Sequence, residues 1–142
     1  MQKEYKINQV NPSKGALDFS YLLDAPAGKH GFVQAKNGHL YYEDGTRARF
    51  LGFNMATRSN AVNHELAEKL AGRFASLGVN VIRLHAADAP IGEQERSWSS
   101  CKEAPLLDYE KGTSRFFHPE GLDRFDYFVA KLKEKGIYIH ID

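Results

Sequence analysis

An apolar, β-branched run at residues 79–84 follows Gly78 and is typical of a parallel strand covered on both faces. Side chains alternate along a strand, so Ile82 and Leu84 share one face, and Arg83 and His85 share the other with Val81. Arginine is almost never fully buried without a partner. The pattern therefore predicts a polar pocket at the carboxyl end of this strand, where ligands bind in parallel sheets.

Two further segments have helical spacing. Residues 64–77, with Asn63 as N-cap, have one apolar face. Residues 119–135 begin with Pro119 and end before Gly136. The predicted apolar positions are Leu66, Leu70, Phe74 and Leu77 in the first helix and Leu122, Phe125, Phe128, Val129 and Leu132 in the second. Each helix is followed by glycine and a strand, so the sequence predicts successive βα units and a parallel sheet.

The remaining strands are shorter. Residues 31–51 predict a β-hairpin with arms at 38–42 and 46–50 around Asp44-Gly45. Residues 51–55 predict a strand in which Gly52 permits close backbone approach. Residues 137–142 predict a strand with isoleucines, including Ile141, on the face toward the helices and His140 on the polar face.

Composition narrows the class of protein. The chain has 142 residues, a formal net charge of +1 and one cysteine, Cys101, which excludes an intrachain disulfide. This charge gives no indication of nucleic-acid or anionic-membrane binding, and no stretch approaches the length of a membrane span. No signal peptide is visible, although a chain lacking its leader would look the same.

The candidate site residues each have a structural alternative. Arg83 and His85 point to a site, whereas Arg83 could instead be tied to a carboxylate or carbonyl for stability. Asn54 could bind ligand or serve as a turn or cap. His140 could be a ligand, a base or a satisfied core histidine. On the long connection at 86–117, Trp98 could stack on a sugar ring or pack that loop onto the body.

Three segments together resemble a known family. They are residues 49–54 (Arg-Phe-Leu-Gly-Phe-Asn) after an Asp-Gly hairpin, residues 78–83 (Gly-Val-Asn-Val-Ile-Arg), and residues 136–142. The sequence over 31–142 is similar to the start of a clan A glycoside hydrolase, most of all family 5, the cellulase and mannanase type. The resemblance implies an α/β fold, the N-terminal part of a (β/α)8 TIM barrel with about its first three strands, preceded by a β-hairpin that plugs the barrel floor. Residues 1–30 would be an N-terminal extension.

The resemblance also implies roles for particular residues. Arg83 corresponds to the family arginine near the catalytic nucleophile, and Asp142 to the aspartate before the strand-three histidine. His85 departs from the commoner Arg-x-Pro pattern, which leaves subfamily and substrate open. The two catalytic glutamates would follow strands four and seven, beyond residue 142, so no catalytic residue is expected in this chain.

The resulting expectation is a glycoside hydrolase that acts with retention on poly- or oligosaccharides, inactive as this chain alone. Arg83, His85, Asn54, Trp98 and His140 would bind substrate or support the active site. No cofactor, metal, nucleic acid or membrane is expected, and the partners are a carbohydrate substrate and the remainder of the barrel, needed for stability. The family suggests a secreted or periplasmic location.

Two other functions remain open at this point. One is a non-catalytic carbohydrate-binding protein on a degenerate barrel. The other is a complete small α/β domain with a small-molecule site at Arg83 and His85. A metal hydrolase using His85, Asp88 and His140 is a weaker hypothesis, because the sequence has no paired-histidine motif.

Overall fold

The computed structural model describes residues 17–89 and 104–142. Within these ranges, short 3-10 turns connect the regular elements. The elements in chain order are β1 (Val33–Lys36), β2 (His39–Tyr42), β3 (Gly52–Ala56), α1 (His64–Ser76), β4 (Val81–His85), α2 (Pro119–Glu134) and β5 (Tyr138–Ile141). The described part of the chain contains no helix long and apolar enough to cross a membrane.

The strands form two sheets. β1 and β2 pair antiparallel, and β3, β4 and β5 form a parallel sheet in the order β3-β4-β5. Gly78 and Gly136, which follow the two helices, have φ of 74° and 81°, in the left-handed region that glycine adopts with little strain. The predicted mixed α/β organisation with successive parallel strands is therefore confirmed.

Both helices begin where the sequence predicts. The Asn63 side chain accepts a hydrogen bond from the Leu66 backbone N–H at 2.9 Å, which caps α1. Pro119 occupies the first turn of α2, and the His118 ring accepts from the Gly121 N–H at 3.3 Å. The caps satisfy N–H groups that have no partner inside the helix.

The hydrophobic core lies between the two helices and one face of the parallel sheet. Its buried residues are Met55, Val62, Ala67, Ala71, Phe74, Ala75, Val79, Ile82, Leu84, Phe128, Leu132 and Ile137. Two predicted core positions are wrong: Leu77 is 45% exposed and Ile141 is 61% exposed. Leu77 is the C-cap of α1, and Ile141 is the last residue of β5, so each lies at the end of its element.

The hairpin predicted in residues 31–51 is present, but its arms differ from the prediction. β1 and β2 are joined through Asn37-Gly38, and both residues have positive φ, as a two-residue type I′ turn requires. The Asp44-Gly45 turn is also formed, yet residues 46–50 make an isolated bridge between Arg47 and Tyr41 in place of a strand. Asn37-Gly38 fits a two-residue type I′ turn, so it is a stronger hairpin signal than Asp44-Gly45.

The hairpin packs against the amino end of β5 through aromatic rings. Tyr42 stacks on Tyr138 with centroids 5.6 Å apart, and Phe50 meets Tyr138 edge-on at 5.5 Å. The Tyr138 hydroxyl also accepts from the Gly28 N–H at 3.0 Å. Burial, with Tyr138 beside it, raises the pKa of Tyr42 to about 12.

The segment between hairpin and sheet is held by Asn80. Its side-chain oxygen accepts from the Leu51 N–H at 2.7 Å, and its amide donates to the Arg49 carbonyl at 2.8 Å. Gly52 begins β3, and a Cβ there would lie 1.9 Å from the Val81 carbonyl oxygen. The predicted close backbone approach at Gly52 is confirmed, because even alanine would collide with β4.

The described end of the long connection folds back on itself. Leu107 and Phe117 form an antiparallel bridge, and the Asp108 N–H donates to the Phe116 carbonyl at 2.9 Å. A Cβ on Gly121 of α2 would lie 1.9 Å from the Pro105 carbonyl oxygen, so glycine lets this segment lie directly on the helix. Trp98 lies outside the described residues.

Candidate functional site

The strand register places three predicted polar side chains in one row. Asn54 of β3 is opposite Arg83 of β4, which in turn is opposite His140 of β5. The row lies toward the carboxyl ends of the strands, on the face opposite the core residues Ile82 and Leu84. The parallel sheet therefore brings together residues that are widely separated in the chain.

Asp142, the residue directly after β5, pairs with Arg83 of this row and with His85. Its carboxylate accepts a hydrogen bond from Arg83 Nη2 through Oδ2 and another from His85 Nδ1 through Oδ1, the latter at 3.0 Å. The side chains of Arg83 and Asp142 remain 36% and 31% exposed. An arginine and a histidine thus share one carboxylate at the surface, where a ligand can reach all three groups.

The hydrogen bond to Asp142 fixes the protonation of one His85 nitrogen. An ionised carboxylate only accepts hydrogen bonds, so Nδ1 of His85 must carry the proton. In the neutral ring, Nε2 is then an acceptor with a free lone pair. The His85 side chain is exposed, so Nε2 can accept a hydrogen bond from a hydroxyl group of a ligand.

Arg83 also contacts Asn54, through a longer hydrogen bond of 3.5 Å from Nη1 to Oδ1. Asn54 is an exposed residue inside β3 and therefore is not a turn or helix cap. Arg83 agrees with both predicted alternatives. It pairs with the Asp142 carboxylate, and it lies toward the carboxyl ends of the strands, where a site is expected. The His140 side chain is exposed among the described residues, and the choice between a ligand, a base and a core histidine stays a prediction.

One residue beside the site has no distinguishing sequence signal. Asn60 lies in the 3-10 turn Thr57–Asn60 that follows β3, and its amide donates to the His85 carbonyl at 3.0 Å. It is 1% exposed, and its Oδ1 has no hydrogen-bond partner among the described residues. Its contact with His85 depends on how the β3–α1 connection lies across the end of β4, which composition and periodicity do not specify.

The metal hypothesis gains no support from the geometry. Among residues 17–89 and 104–142, no three side chains of histidine, cysteine, aspartate or glutamate converge as metal ligands. Asp88 is tied into the loop through its carbonyl, which accepts from the Tyr109 hydroxyl. Both Nδ1 of His85 and the Asp142 carboxylate are already engaged with each other.

These features define the class of fold as a mixed α/β structure with a parallel sheet, like part of a glycoside hydrolase. A glycoside hydrolase family 5 structure from Bacteroides vulgatus matches with a TM-score of 0.55 and 14% identity, over 84% of this chain and 26% of that chain. A second structure, described as a glycoside hydrolase, matches with a TM-score of 0.54 and 18% identity over the same shares. The chain thus spans about a quarter of these structures. No family model matches the sequence, and a search of curated proteins found no match.

Proposed function

We propose that the chain is the N-terminal part of a (β/α)8 glycoside hydrolase that cleaves O-glycosidic bonds of poly- or oligosaccharides with retention. The observation that carries the proposal is the fold match over 84% of this chain to glycoside hydrolases about four times as long. The consecutive order β3-β4-β5, with a helix between successive strands, is the order in which such a barrel is built. The hairpin beneath Tyr138 fits the position of a barrel plug.

The polar row supplies supporting groups for this chemistry. Arg83 would orient a catalytic carboxylate and keep it ionised, since a neighbouring cation favours the charged form. Asn54, through its exposed amide, and His85, through Nε2, would bind sugar hydroxyls. We assign His140 and Trp98 to the same substrate-binding surface, His140 from its place in the row and Trp98 from its aromatic ring.

The catalytic carboxylates themselves are proposed to lie beyond residue 142. A retaining glycosidase needs a nucleophile and an acid/base carboxyl roughly 5 Å apart. Asp142 is assigned neither role, because Arg83 and His85 engage both of its oxygens. This chain alone is therefore expected to be inactive.

The remainder of the barrel would also cover apolar surface that the three strands leave open. A pocket of about 330 Å³ lies beside β5, lined by apolar parts of α2, the hairpin and β5 itself, including Val129, Val33 and Ile139. At the other side of the sheet, Phe53 of β3 packs edge-on against Phe74 yet stays 42% exposed. Further strands beside β3 and β5 would pair the open edges, which otherwise favour aggregation.

The proposal is tested by the coding sequence downstream of Asp142 and by the stereochemistry of the reaction. We expect an Asn-Glu after a fourth strand and a second strand-terminal glutamate after a seventh. The protein containing them should release product with the same anomeric configuration as the substrate, measured by proton NMR during hydrolysis of aryl glycosides and polysaccharides. Replacement of either glutamate by glutamine should abolish hydrolysis.

Other results would favour a different function. A full-length protein that binds glycans but lacks the two carboxylates would be a carbohydrate-binding protein. A stop codon after Asp142, with cooperative unfolding of residues 1–142 alone, would indicate a complete small α/β domain. A product with inverted configuration would be consistent with a glycoside hydrolase but would contradict the proposed retaining mechanism.

A further inference from the structure

The backbone at the end of β4 turns through an unusual conformation. Ala86, directly after His85, has φ of 49°, in the left-handed region that residues with a Cβ rarely occupy. Such a conformation persists only where the surroundings hold it. The Ala86 carbonyl accepts from the Ala89 N–H at 3.1 Å, which closes a turn immediately beyond the strand.

Asn60 holds the peptide group that starts this turn. The His85 carbonyl and the Ala86 N–H belong to one planar peptide unit, so the direction of that carbonyl sets ψ of His85 and φ of Ala86 together. The Asn60 amide donates to the His85 carbonyl at 3.0 Å from a position that is 1% exposed. This buried hydrogen bond therefore constrains the backbone at the point where the His85 side chain leaves the strand.

Within residues 17–89 and 104–142, only the NH2 group of the Asn60 side chain has a hydrogen-bond partner. Its Oδ1 is buried and finds no donor within the described residues, which is unfavourable compared with an apolar side chain of the same size. An amide at this position is therefore not explained by a gain in stability. The hydrogen bond to the His85 carbonyl explains it better. The His85 ring, in turn, lies 3.0 Å from Asp142, a distance that depends on where its Cβ points.

We propose that Asn60 is a positioning residue for the site: it fixes the turn at Ala86 and so directs His85 Nδ1 onto Asp142, leaving Nε2 toward the ligand. The role for Nε2 rests on the proposed glycoside hydrolase function, whereas the effect of Asn60 on His85 does not. Asn60 acts through another residue and touches no substrate. It is the kind of supporting contact that holds a ligand-binding group within hydrogen-bond geometry.

The experiment compares Asn60→Leu with wild type in the full-length protein. Leucine has similar size and removes both the donor and the unsatisfied acceptor. We expect the Nδ1 proton resonance of His85 to disappear from its hydrogen-bonded position and the Ala86 carbon shifts to leave left-handed values. Ser76→Ala is the matched control, since Ser76 is the other buried polar residue in the described part of the chain and its hydroxyl donates to the Arg73 carbonyl of its own helix.

Activity supplies a second readout through a double-mutant cycle. Asn60→Leu should lower kcat/KM by about tenfold in the wild-type background, within the range expected for a misplaced binding group. It should have almost no effect in a His85→Ala background, because the two residues act as one unit. Equal losses in both backgrounds, or an unchanged His85 Nδ1 resonance in Asn60→Leu, would overturn the proposal.

Two provisions keep the result decisive. If Asn60→Leu does not fold, Asn60→Ser removes the same donor with a smaller side chain, and the same resonances are read. If the wild-type protein hydrolyses no glycoside, the proposed function fails, while the His85 and Ala86 resonances still decide whether Asn60 positions the histidine.

Discussion

Arg83 and Asp142 form an ion pair across two neighbouring parallel strands, at the edge where both strands end. Because His85 occupies the other carboxylate oxygen, the charge of Asp142 orients two side chains at once. The ion pair is partly exposed, so its net contribution to stability is small. Its effect lies in the orientation of Arg83 and His85, where loss of one partner changes the geometry of both.

Asp142→Asn tests this shared carboxylate. The amide has the same size but no charge, and one of its two positions donates instead of accepting, so it cannot accept from both Arg83 and His85. We expect kcat/KM of the proposed full-length glycoside hydrolase to fall by about 100-fold, comparable to the loss of one preorganised donor in an active site. Asp123→Asn is the matched control, because Asp123 contacts His64 at 2.9 Å on the helical exterior. A loss below about twofold in Asp142→Asn would contradict the role.

His30 predicts a pH-dependent contribution to stability. Its two ring nitrogens contact Asp24 and Asp44, and the hydrogen bond that His30 donates to Asp24 is the main cause that raises the pKa of His30 above its ordinary value of 6.5. A raised pKa in the folded state means that this contribution is complete below pH 6.5 and lost as the pH rises through the folded value. The pKa values of Asp24 and Asp44 are lowered from 3.8, mainly by the hydrogen bond from Lys29 to Asp24 and by that from the Thr46 backbone N–H to Asp44, with His30 a smaller cause of each. Their contribution to stability is therefore present above pH 3.8 and lost as the pH falls through the folded values.

The measurement is the free energy of unfolding between pH 5 and pH 9 at constant ionic strength. His30→Gln should flatten the decline above about pH 6.5, since glutamine does not titrate. His39→Gln serves as the control, because the His39 ring faces Arg47 and not a carboxylate. Equal slopes for wild type and His30→Gln would contradict the prediction.

Asn80→Ala should destabilise the fold without touching the polar row. The substitution removes two hydrogen bonds to the backbone at Arg49 and Leu51, and leaves a carbonyl and an N–H without that partner. We expect a loss of about 1–3 kcal/mol in the free energy of unfolding, measured by urea denaturation at the same chain length as wild type. Asn54→Ala, an exposed asparagine on the adjacent strand, should change stability by less than about 0.5 kcal/mol.

Gly52→Ala should lower the free energy of unfolding more than an alanine substitution at a glycine with free space around it. The new Cβ would lie 1.9 Å from the Val81 carbonyl oxygen, so β3 and β4 must separate. We expect a loss of about 3 kcal/mol, at the upper end of the effects of overpacking. Gly45→Ala meets no atom within 4 Å and has φ of 85°, so its strain of about 1–2 kcal/mol comes from the backbone conformation alone. Comparable losses for the two variants would refute the steric argument.

Much of the fold was predictable because local signals coincide. The Asn63 cap, Pro119 and the glycines after both helices each occupy a position that their backbone chemistry favours. The strand boundaries then follow, and alternation alone places Arg83 opposite the core face. The errors at Leu77 and Ile141 have one cause. Periodicity predicts which face of a helix or strand is apolar, but it does not indicate at which residue the neighbouring element stops covering that face.

The site was less predictable than the fold. The sequence singles out Asn54, Arg83, His85 and His140 as polar groups near strand ends, while the shared carboxylate contacts of Asp142 depend on three-dimensional register. Asp142 was singled out by the resemblance to the glycoside hydrolase family and not by the pattern of residues. Asn60 carries no sequence signal, since an asparagine in a turn is commonplace and its contact with the His85 carbonyl arises from the path of a connection.

The order β3-β4-β5 has a consequence for how the protein is made. β4 pairs with β3 and β5 pairs with β4, so the partner of each later strand has already been synthesised when that strand emerges from the ribosome. Arg83 and Asp142 nevertheless lie 59 residues apart, so this parallel pairing closes a long loop and forms slowly compared with local contacts. The Arg83–Asp142 pair can therefore form only once β5 has been synthesised, and until then the β4 edge stays unpaired and open to association with other chains.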